Sequence, residues 1–390
     1  MRVLHVITRM IVGGAQENTL HNCVDLRRLH GDDVLLVTGM AGGPEGDLLR
    51  QGGAGDLPVR YLPELRRAIY PPDDLRALRA LRSVIREFRP DVVHTHSAKA
   101  GFLGRRAAWV EQVPAIVHTV HGAPFHPYQS AIARELFRRC ERSAARWCHR
   151  LISVADAMTR LMVDAGVAPE SKFTTIYSGM DVEPFLAADR LRDSVRREWG
   201  FREGDIVIGK VARLFHLKGH DDLIRAAGIL AQRYPQAKFL LVGDGILGDS
   251  LRRQIANLGM QDRFVFTGLV RPTVVPGLLG AMDVLVHTSL REGLARALPQ
   301  ALIAGRPVVS YDIDGAREVA LDGETGFLVP AGDIATLADR IGQLVADGDA
   351  RLRMGQAGRQ LFTERFRHES MTAQIRRLYR DVLGLTAAQA

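Results

Sequence analysis

Short apolar strands alternate with helices along the first half of this chain. The predicted strands are Val3–Ile7, Val34–Thr38, Asp91–His94, Ala115–Thr119, Leu151–Val154 and Thr174–Tyr177. The predicted helices between them are Ala15–Leu29, Leu75–Phe88 and Arg134–Arg150. Strands that alternate with helices form a parallel sheet covered on both faces. This half is therefore predicted to be a doubly wound α/β unit.

The same pattern begins again after a polar, charged stretch near residue 190. Its predicted strands are Ile206–Ala212, Lys238–Val242, Phe264–Thr267, Asp283–His287 and Pro307–Ser310, and its predicted helices are Asp221–Arg233, Ser250–Leu258, a segment after Glu292, and Ile334–Ala346. The sequence thus predicts an α/β fold of two Rossmann-like domains facing across a cleft, where a ligand would bind. We place an N-terminal domain at residues 1–185, a linker at 186–203, a C-terminal domain at 204–366, and a helix at 367–390 that packs back towards the first domain.

Composition is consistent with full cores that need no disulfides or structural metals. Of the 390 residues, 46% are apolar and 25% are charged, as in ordinary globular proteins. Cys23, Cys140 and Cys148 have no C-x-x-C spacing and are expected to be buried, reduced thiols. The chain has no run of about 18 apolar residues and no secretory pattern at its start, so we expect a cytoplasmic protein without a transmembrane helix.

Positive charge is concentrated in one region. The chain has 52 Lys+Arg against 44 Asp+Glu, a net charge of +8, whereas residues 60–150 alone hold 17 Lys+Arg and 8 Asp+Glu. An Arg-rich composition can reflect a GC-rich genome, and a basic surface facing an anionic partner is the functional interpretation. The window has few aromatic residues that could stack on bases, so nucleic acid is not expected as a partner.

Arginines recur at every fourth position along the predicted helix Arg134–Arg150. A row with this spacing winds around a helix and does not form one flat cationic face. The row is either solvated or contacts anionic lipid headgroups.

Two loops that follow predicted strands carry groups suited to phosphate. One ends in Gly13-Gly14 before a helix, where backbone N–H groups are available to an anion. It has neither a dinucleotide fingerprint nor a Walker A sequence, so an ordinary turn is the alternative. In the other loop, Arg213 and Lys218 flank a helix start. Two cations there could stabilise a diphosphate or could simply be solvated.

A third loop leads from Ser289 into a predicted helix. Glu292 and Gly293 lie between strand and helix, and Gln300 follows Glu292 by eight residues. Eight residues are just over two helical turns, so the carboxylate and the amide are predicted to share a face. Such a pair suits hydroxyl-rich ligands such as a sugar or ribose. A capping Glu and a surface Gln are the alternative interpretation.

Histidines gather at predicted strand ends, at positions His94, His96, His118, His121 and His126. Their spacing fits no zinc pattern, so structural roles are expected for most of them and no metal is predicted. His121 differs because it leads from a strand into a loop. A pair of aspartates at 312 and 314 resembles a metal-binding spacing, but this arises easily by chance and no metal is expected there.

Together these segments resemble the retaining glycosyltransferases of family 4, also called group 1 glycosyltransferases, which have the GT-B fold. The resemblance spans almost the whole chain. The segments that carry it are His5–Gly14, Asp91–Gly104, His118–Pro127, Ser153–Met158, Ile176–Asp181, Val211–Gly219, Phe239–Gly245, Phe266–Val270 and Ser289–Val309.

The resemblance implies an enzyme with a nucleotide-sugar donor held mainly by the C-terminal domain, and no metal or other cofactor. Arg213 and Lys218 match the pair that neutralises the donor diphosphate. Glu292 matches the first Glu of the family's E-x7-E element, which contacts sugar hydroxyls, and His121 matches the active-site His near the reacting centre. The implied donor neighbours also include Gly13, Gly14, Gly243, Val270, Gly293, Leu294, Ala295 and Gln300.

One departure from the family pattern concerns the second Glu of E-x7-E, which is Gln300 here. In the family this position holds the ribose hydroxyls. An amide still forms hydrogen bonds but loses the charge-assisted bond of a carboxylate. Ala295, where Gly or Pro is frequent, is a milder change.

The resemblance also implies retention of anomeric configuration, with the leaving phosphate helping to accept the acceptor's proton. A UDP-sugar is favoured as donor. The acceptor would be a glycan or a lipid-linked sugar at the basic N-terminal window, in contact with anionic membrane on its cytoplasmic face. A nucleotide-sugar 2-epimerase or a phosphorylase on the same fold, and a non-catalytic nucleotide-sugar-binding protein, remain alternatives.

Overall fold

The computed structural model describes residues 1–42, 46–51 and 53–385. The chain divides into two compact units. The first unit comprises residues 1–180 together with 365–390, and the second comprises residues 181–364. Residues 386–390 of the predicted closing segment lie outside the described residues.

The first unit is built on a parallel sheet of seven strands, counted over the described residues, in the order β3-β2-β1-β4-β5-β6-β7. Its strands are β1 (Arg2–Arg9), β2 (Asp33–Gly39), β3 (Val59–Tyr61), β4 (Val92–His96), β5 (Ala115–Val120), β6 (Arg150–Ser153) and β7 (Phe173–Thr175). The helices that follow them are α1 (Gly14–His30), α2 (Pro71–Phe88), α3 (Ala98–Val110), α4 (Ala131–Ala145) and α5 (Asp156–Asp164).

The second unit repeats this design with six strands among its described residues, in the order β10-β9-β8-β11-β12-β13. Its strands are β8 (Ile206–Val211), β9 (Ala237–Val242), β10 (Phe264–Gly268), β11 (Val284–His287), β12 (Val308–Tyr311) and β13 (Gly326–Val329). Its helices are α6 (Glu183–Leu186), α7 (Arg192–Glu198), α8 (His220–Leu230), α9 (Gly248–Asn257), α10 (Val275–Ala281), α11 (Ala297–Ile303), α12 (Ile334–Ala346) and α13 (Gly348–Phe362). The prediction of two doubly wound parallel sheets is confirmed.

The predicted helix Arg134–Arg150 ends earlier than expected, at Ala145. The backbone N–H of His149 donates to the carbonyl of Ile116 at 2.8 Å, and Arg150 pairs with Val117 as the first residue of β6. The chain therefore leaves the helix to join the sheet, and only part of the arginine row lies on α4.

Residues 186–203, for which we expected a linker, belong to the second unit and are largely helical. The guanidinium of Arg192 donates to the carbonyls of Gly280 and Met282 at 2.8 Å each and forms an ion pair with Asp283 at 2.5 Å. Arg196 also forms an ion pair with Asp283. These contacts attach α7 to the end of α10, because both guanidinium groups pair with the Asp283 carboxylate, which is only 10% exposed.

The last helix, α14 (His368–Leu383), is part of the first unit. Met371, Ile375 and Leu378 lie on one side of this helix and are buried in the core of the unit. The guanidinium of Arg376 donates to the nearly buried carboxylate of Asp32 at 2.9 Å. Packing and charge pairing together attach the end of the chain to its beginning.

Cys23 and Cys148 are buried, whereas Cys140 is only half-buried, which corrects the prediction that all three thiols are buried. No helix within the described residues has the length and apolar character needed to cross a bilayer.

Candidate active site

In the second unit, two loops that follow neighbouring strands are joined at the carboxyl edge of the sheet. One loop follows β8 and carries Lys218, and the other follows β11 and carries Glu292. The ammonium of Lys218 donates to Oε1 of Glu292 at 2.5 Å. The backbone N–H of Leu290 also donates to the carbonyl of Leu217 at 2.8 Å. The structure therefore brings together two of the predicted site residues.

Gly219 allows the two loops to approach this closely. Its φ of +64° lies in the left-handed region, and a Cβ at this position would stand 1.9 Å from the carbonyl oxygen of Thr288. The hydroxyl of Thr288 donates to the carbonyl of Gly219 at 2.6 Å. The buried ammonium of Lys210 in turn donates to the Thr288 hydroxyl at 2.8 Å. Because of its positive φ and the closeness of Thr288, only glycine fits at position 219.

Glu292 lies in a loop and not on the following helix, which begins at Ala297. Its backbone N–H donates to the Oδ2 atom of Asp314 at 2.6 Å. The backbone N–H of Gly315 donates to the carbonyl of Gly293 at 3.1 Å. These bonds hold the peptides of the loop outside a helix. The prediction that Glu292 and Gln300 share one helical face is therefore wrong.

The electrostatics of this cluster keep Glu292 charged. Burial alone would raise the pKa of Glu292, but the charge of Lys218 and its hydrogen bond to the carboxylate lower this pKa below its usual value. The side chains of Lys218 and Glu292 are 21% and 23% exposed, so this pair is accessible to a ligand.

Neutral or weakly basic groups lie beneath this pair. Burial lowers the pKa of Lys210 to about 7 and those of His220 and His287 to about 3. The Nε2 atom of His287 lies 3.7 Å from Oε1 of Glu292. His220 and His287 are therefore uncharged near neutral pH, and the opposite charges of Lys218 and Glu292 offset each other.

Arg213 is exposed at the exit of β8, and its guanidinium lies 4.9 Å from the ring centre of Phe215. Its carbonyl accepts a hydrogen bond from Nε2 of His220 at 3.0 Å. Gly243, at the end of β9, permits this course of the chain because a Cβ there would stand 2.2 Å from the carbonyl oxygen of Ala212. The two cations thus share one loop, in which Lys218 contacts Glu292.

The other predicted donor neighbours in this unit follow the carboxyl ends of strands in the same sheet. Val270 is half-buried after β10, Leu294 is half-buried, and Ala295 is buried. Gln300 is half-buried within α11. Within the residues that the structure describes, the Gln300 side chain forms no hydrogen bond with Glu292.

Asp312 and Asp314 have different partners. Asp312 accepts from the Nε atom of Arg317 at 2.9 Å, whereas Asp314 accepts from the N–H of Glu292. Asp314 also has a positive φ of 45°. The two carboxylates therefore have different contacts, and Asp314 positions the Glu292 loop.

In the first unit, His121 follows β5 and is half-buried. Its Nε2 atom lies 3.1 Å from Nδ1 of His96, which is at the end of β4. Gly13 and Gly14 stand at the start of α1, where Gly13 has an extended φ of 171° that any residue can adopt. A Cβ on Gly13 would meet only the flexible end of Gln16, so backbone geometry does not require glycine there.

Three histidines of this unit lie close enough together to be considered as metal ligands. His5, His94 and His96 have ligand atoms within 4.8 Å of one another. Both ring nitrogens of His94 are already engaged, Nδ1 with the hydroxyl of Tyr379 at 2.5 Å and Nε2 with that of Thr119 at 2.7 Å. Because a metal would have to displace these bonds, we assign no metal to the cluster.

Sequence reasoning missed three residues that support the site, namely Lys210, Thr288 and Asp314. A signal existed for Lys210, because a lysine within an apolar strand is unusual. Thr288 and Asp314 gave no distinctive signal, since their roles depend on contacts between distant loops.

Two family models match the chain. Residues 13–179 match the glycosyl transferase 4-like domain, and residues 192–361 match the glycosyl transferases group 1. The chain therefore belongs to the group 1 glycosyltransferases, and the prediction of this enzyme class is confirmed.

Individual relatives extend over most of the chain. A UDP-Gal:alpha-D-GlcNAc-diphosphoundecaprenol alpha-1,3-galactosyltransferase of Escherichia coli is 28% identical over 352 residues, which are 89% of this chain and 88% of that protein. An N-acetyl-alpha-D-glucosaminyl L-malate synthase of Bacillus anthracis is 26% identical over 323 residues, 80% of this chain and 81% of that protein.

The fold has a solved counterpart in Alr3699/HepE of Anabaena in complex with UDP. That structure is 24% identical to this chain and superposes with a TM-score of 0.80, covering 98% of this chain and 100% of that one. The predicted GT-B fold, with two Rossmann-like domains, is confirmed.

Proposed function

We propose that this protein is a retaining, metal-independent glycosyltransferase that moves a hexose-type sugar from a UDP-sugar to a glycan or lipid-linked acceptor. The contact between Lys218 and Glu292 at the carboxyl edge of the second sheet carries the proposal. The E. coli relative, whose name specifies UDP-Gal and a diphosphoundecaprenol acceptor, and the UDP complex of the Anabaena protein support the choice of donor and acceptor. Cell-surface polysaccharide or glycolipid synthesis is the corresponding process.

The diphosphate of the donor would be neutralised by Arg213 and Lys218. The N-terminus of α8 adds backbone N–H groups nearby, but two acidic residues, Asp221 and Asp222, occupy its first turn. Acidic side chains there offset the positive end of the helix dipole. The two cations therefore carry most of the charge stabilisation, which requires no metal ion.

The sugar and nucleoside would contact the loop that begins at Glu292. The Glu292 carboxylate would accept hydrogen bonds from sugar hydroxyls, and the backbone of Gly293, Leu294 and Ala295 would lie beside the sugar and phosphate. Gln300 would contact the ribose. Val270 and Gly243 would lie near the base, and Gly13 and Gly14 near the phosphates.

In the reaction, the bond between the anomeric carbon and the diphosphate oxygen breaks, and a bond from the acceptor oxygen to the same carbon forms. The acceptor's proton passes to the departing diphosphate, so a nucleoside diphosphate and the glycosylated product leave. The transition state carries positive charge on the sugar and negative charge on the phosphate. Arg213 and Lys218 would stabilise the latter, and His121 would contact the sugar near the reacting carbon.

The acceptor side would contact anionic membrane at its cytoplasmic face through α4. Ile132 and Leu136 on this helix are 84% and 54% exposed. Arg139 lies on the same stripe because residues at i, i+4 and i+7 share a helix face. Arg138, Arg139 and Arg142 all bond within the chain, the first two to Glu135 and the third to the carbonyl of Gly166. Ile132 and Leu136 therefore provide the main insertion surface.

Donor binding provides the first test. A thermal-shift screen with UDP, GDP and their sugars needs no acceptor, because a ligand that binds the folded state raises the melting temperature. We expect UDP-sugars to stabilise the wild-type protein, with and without EDTA. Stabilisation that depends on added metal would contradict metal independence.

Turnover provides the second test. With a UDP-sugar panel and lipid-linked acceptors, Lys218→Ala and Glu292→Ala should each abolish transfer. Lys238→Ala is the matched control, because its ammonium donates only at the surface, to the carbonyl of Asp262. Unchanged transfer in both site variants would refute the assignment.

The same assay separates the alternatives. An epimerase would convert the donor without acceptor, and a phosphorylase would require phosphate. A non-catalytic binder would show donor stabilisation without turnover. The anomeric configuration of the product, read by proton NMR, decides between retention and inversion.

Membrane contact is tested by sedimentation with vesicles. Binding should rise with the fraction of anionic lipid and fall in the double variant Ile132→Ser/Leu136→Ser. Ile229→Ser, which alters a 48% exposed apolar residue of the second unit, is the control. Binding that is independent of anionic lipid content would refute this part of the proposal.

A further inference from the structure

A row of three histidines crosses the sheet of the first unit and ends at His121. The rings come from β1, from the end of β4 and from the residue after β5, and these three strands are neighbours in the sheet. Nδ1 of His5 lies 3.0 Å from Nε2 of His96, and Nδ1 of His96 lies 3.1 Å from Nε2 of His121. His5 and His96 are fully buried. The row therefore connects the interior of the unit to the predicted active-site histidine.

The number of N–H groups on the rings limits how the row can be protonated. Burial lowers the pKa of His5 to about 3 and that of His96 well below its usual value, so both rings are neutral near pH 7. A neutral imidazole carries one N–H and one lone pair. Each nitrogen–nitrogen contact needs one proton between its two atoms. The position of the proton on one ring therefore dictates its position on the next.

Only two arrangements satisfy both contacts. In one, His5 donates to His96 and His96 donates to His121. In the other, His121 donates to His96 and His96 donates to His5, which leaves the N–H on Nε2 of His5. That Nε2 atom is buried and has no hydrogen-bond partner. Buried N–H groups without a partner are rarer in proteins than buried acceptors without one, so the first arrangement is favoured.

We infer that His5 and His96 are positioning residues that hold His121 as the neutral tautomer protonated on Nδ1. In this arrangement Nε2 of His121 accepts a hydrogen bond from His96 and cannot take up a proton without reversing the row. The N–H of His121 is then on Nδ1. A histidine tautomer is commonly set in this way by the partner of its other nitrogen.

This inference rests on the proposed function only where it concerns catalysis. If His121 contacts the donor sugar, the row makes it a hydrogen-bond donor to a sugar oxygen and prevents it from acting as a base through Nε2. The tautomer itself is a property of the protein without ligand. The two statements can therefore fail separately.

The direct test is NMR of the whole protein labelled with 15N-histidine. The protonated and unprotonated ring nitrogens of a neutral histidine have well-separated 15N shifts, and the His121 signals are assigned by their loss in His121→Gln. We expect the wild-type spectrum to show His121 protonated on Nδ1. Protonation on Nε2 would overturn the inference, whatever the activity of any variant.

Two substitutions of His96 provide a matched pair. An Asn side chain can place its amide near the Nδ1 position and still donate to His121, whereas a Gln amide reaches towards the Nε2 position and His5. We expect His96→Asn to keep the tautomer of His121 and most of kcat. His96→Gln should give mixed tautomers and a kcat lower by about 10-fold, with KM little changed. Equal tautomer populations in the two variants would contradict a positioning role.

His118→Asn is the control for loss of a buried histidine. His118 is also buried, but its Nδ1 atom contacts the hydroxyl of Thr95 at 2.9 Å and not a ring of the row. This variant should leave the His121 signals unchanged even if its melting temperature falls.

Elemental analysis of the purified protein provides a further check. One bound zinc per chain would show that the rings of the row are metal ligands and would overturn the inference. If no donor is turned over by the wild type, the proposed function fails while the tautomer result still decides this inference.

Discussion

The ammonium of Lys218 lies 2.5 Å from Oε1 of Glu292, although the two residues are 74 positions apart in the chain. Each satisfies the charge of the other in the protein without ligand. A donor that binds both must replace this contact with bonds from its diphosphate and its sugar hydroxyls. The pair thus holds both side chains near the positions in which the proposed donor would meet them.

Removing Lys218 should lower both the melting temperature and the rate of transfer. Lys218→Ala leaves a partly buried carboxylate without its cation, and we expect a melting temperature several degrees lower. It should also reduce kcat by about 100-fold or more, because one electrostatic stabiliser of the transition state is lost. Thermal denaturation and initial rates measure the two effects.

The double variant Lys218→Ala/Glu292→Ala is the control for this prediction. It removes both charges together, so its melting temperature should lie above the value expected from adding the two single effects. If the effects of the two substitutions on stability were additive, Lys218 and Glu292 would not stabilise each other.

Gly219→Ala should destabilise the second unit and separate the two site loops. The new Cβ would stand 1.9 Å from the carbonyl oxygen of Thr288, in a backbone conformation that disfavours alanine. We expect a lower melting temperature and weaker binding of UDP. Gly228→Ala is the matched control, since this glycine lies in helix α8 with no atom within 4 Å of an added Cβ. That variant should be as stable as the wild type or more stable, and a loss of stability there equal to that of Gly219→Ala would refute the steric argument.

Lys210→Met should change the pH dependence of stability. Burial lowers the pKa of Lys210 from 10.5 to about 7 in the folded protein. Between these values the unfolded chain binds a proton that the folded protein does not, so wild-type stability gains from this group as pH rises. Below pH 7 both states are protonated, and folding must bury the full charge. The stability advantage of Lys210→Met should therefore be largest at about pH 7 and below and should shrink towards pH 10.

Melting temperatures of both proteins between about pH 6 and pH 9 check this prediction. Lys238→Met is the control, because this lysine's ammonium bonds at the surface. Its melting temperature should change with pH in the same way as that of the wild type. If the difference in melting temperature between Lys210→Met and the wild type did not vary with pH, it would contradict the lowered pKa of the buried Lys210 amine.

Breaking the buried ion pair of the first unit should be costly. The side chains of Arg105 and Glu141 are 0% and 5% exposed and meet at 2.9 Å. Arg105→Met would leave a buried, unpaired carboxylate, at a cost of about 3–5 kcal/mol. The double variant Arg105→Met/Glu141→Met should recover most of this stability in urea unfolding. Arg139→Met, which removes an exposed partner of Glu135, should leave the unfolding midpoint almost unchanged.

Gln300→Glu should strengthen the binding of the nucleotide. If this position contacts the ribose as proposed, a carboxylate would form charge-assisted bonds to its hydroxyls, with a gain in affinity of about 5-fold. Gln300→Ala should weaken binding. Calorimetric titration with UDP measures both, and equal affinities in all three proteins would place residue 300 away from the ribose.

Both sheets and the order of most elements could be predicted from the sequence, because apolar strands and helices alternate with clear periodicity. The sequence predicts the end of α4 five residues too late, because the arginine spacing continues to Arg150 and the apolar residues Trp147 and Cys148 give no sign of a break. The chain turns there because His149 bonds to β5, a strand about 30 residues earlier. Periodicity along one segment does not contain such a contact.

The candidate site, like the fold, could be predicted only in part from the sequence. Lys218 and Glu292 could be recognised from local motifs, but the predicted shared helical face of Glu292 and Gln300 is absent, because the helix begins only at Ala297 and Glu292 lies in the preceding loop. Asp314 holds that loop in another conformation through a bond to a backbone N–H 22 residues away. A short-range spacing rule cannot anticipate a competing acceptor from a distant loop.

The sequence by itself determined the class of this protein, because strand and helix periodicity and a series of motifs in a fixed order are properties of local chain segments. The tertiary structure decided which groups act together. It joined Lys218 to Glu292, placed Lys210 and Thr288 beneath them, and aligned His5 and His96 with His121. Hydrogen bonds and charge pairing depend on distances of about 3 Å, and only the packing of neighbouring strands brings residues so far apart in the chain within that range.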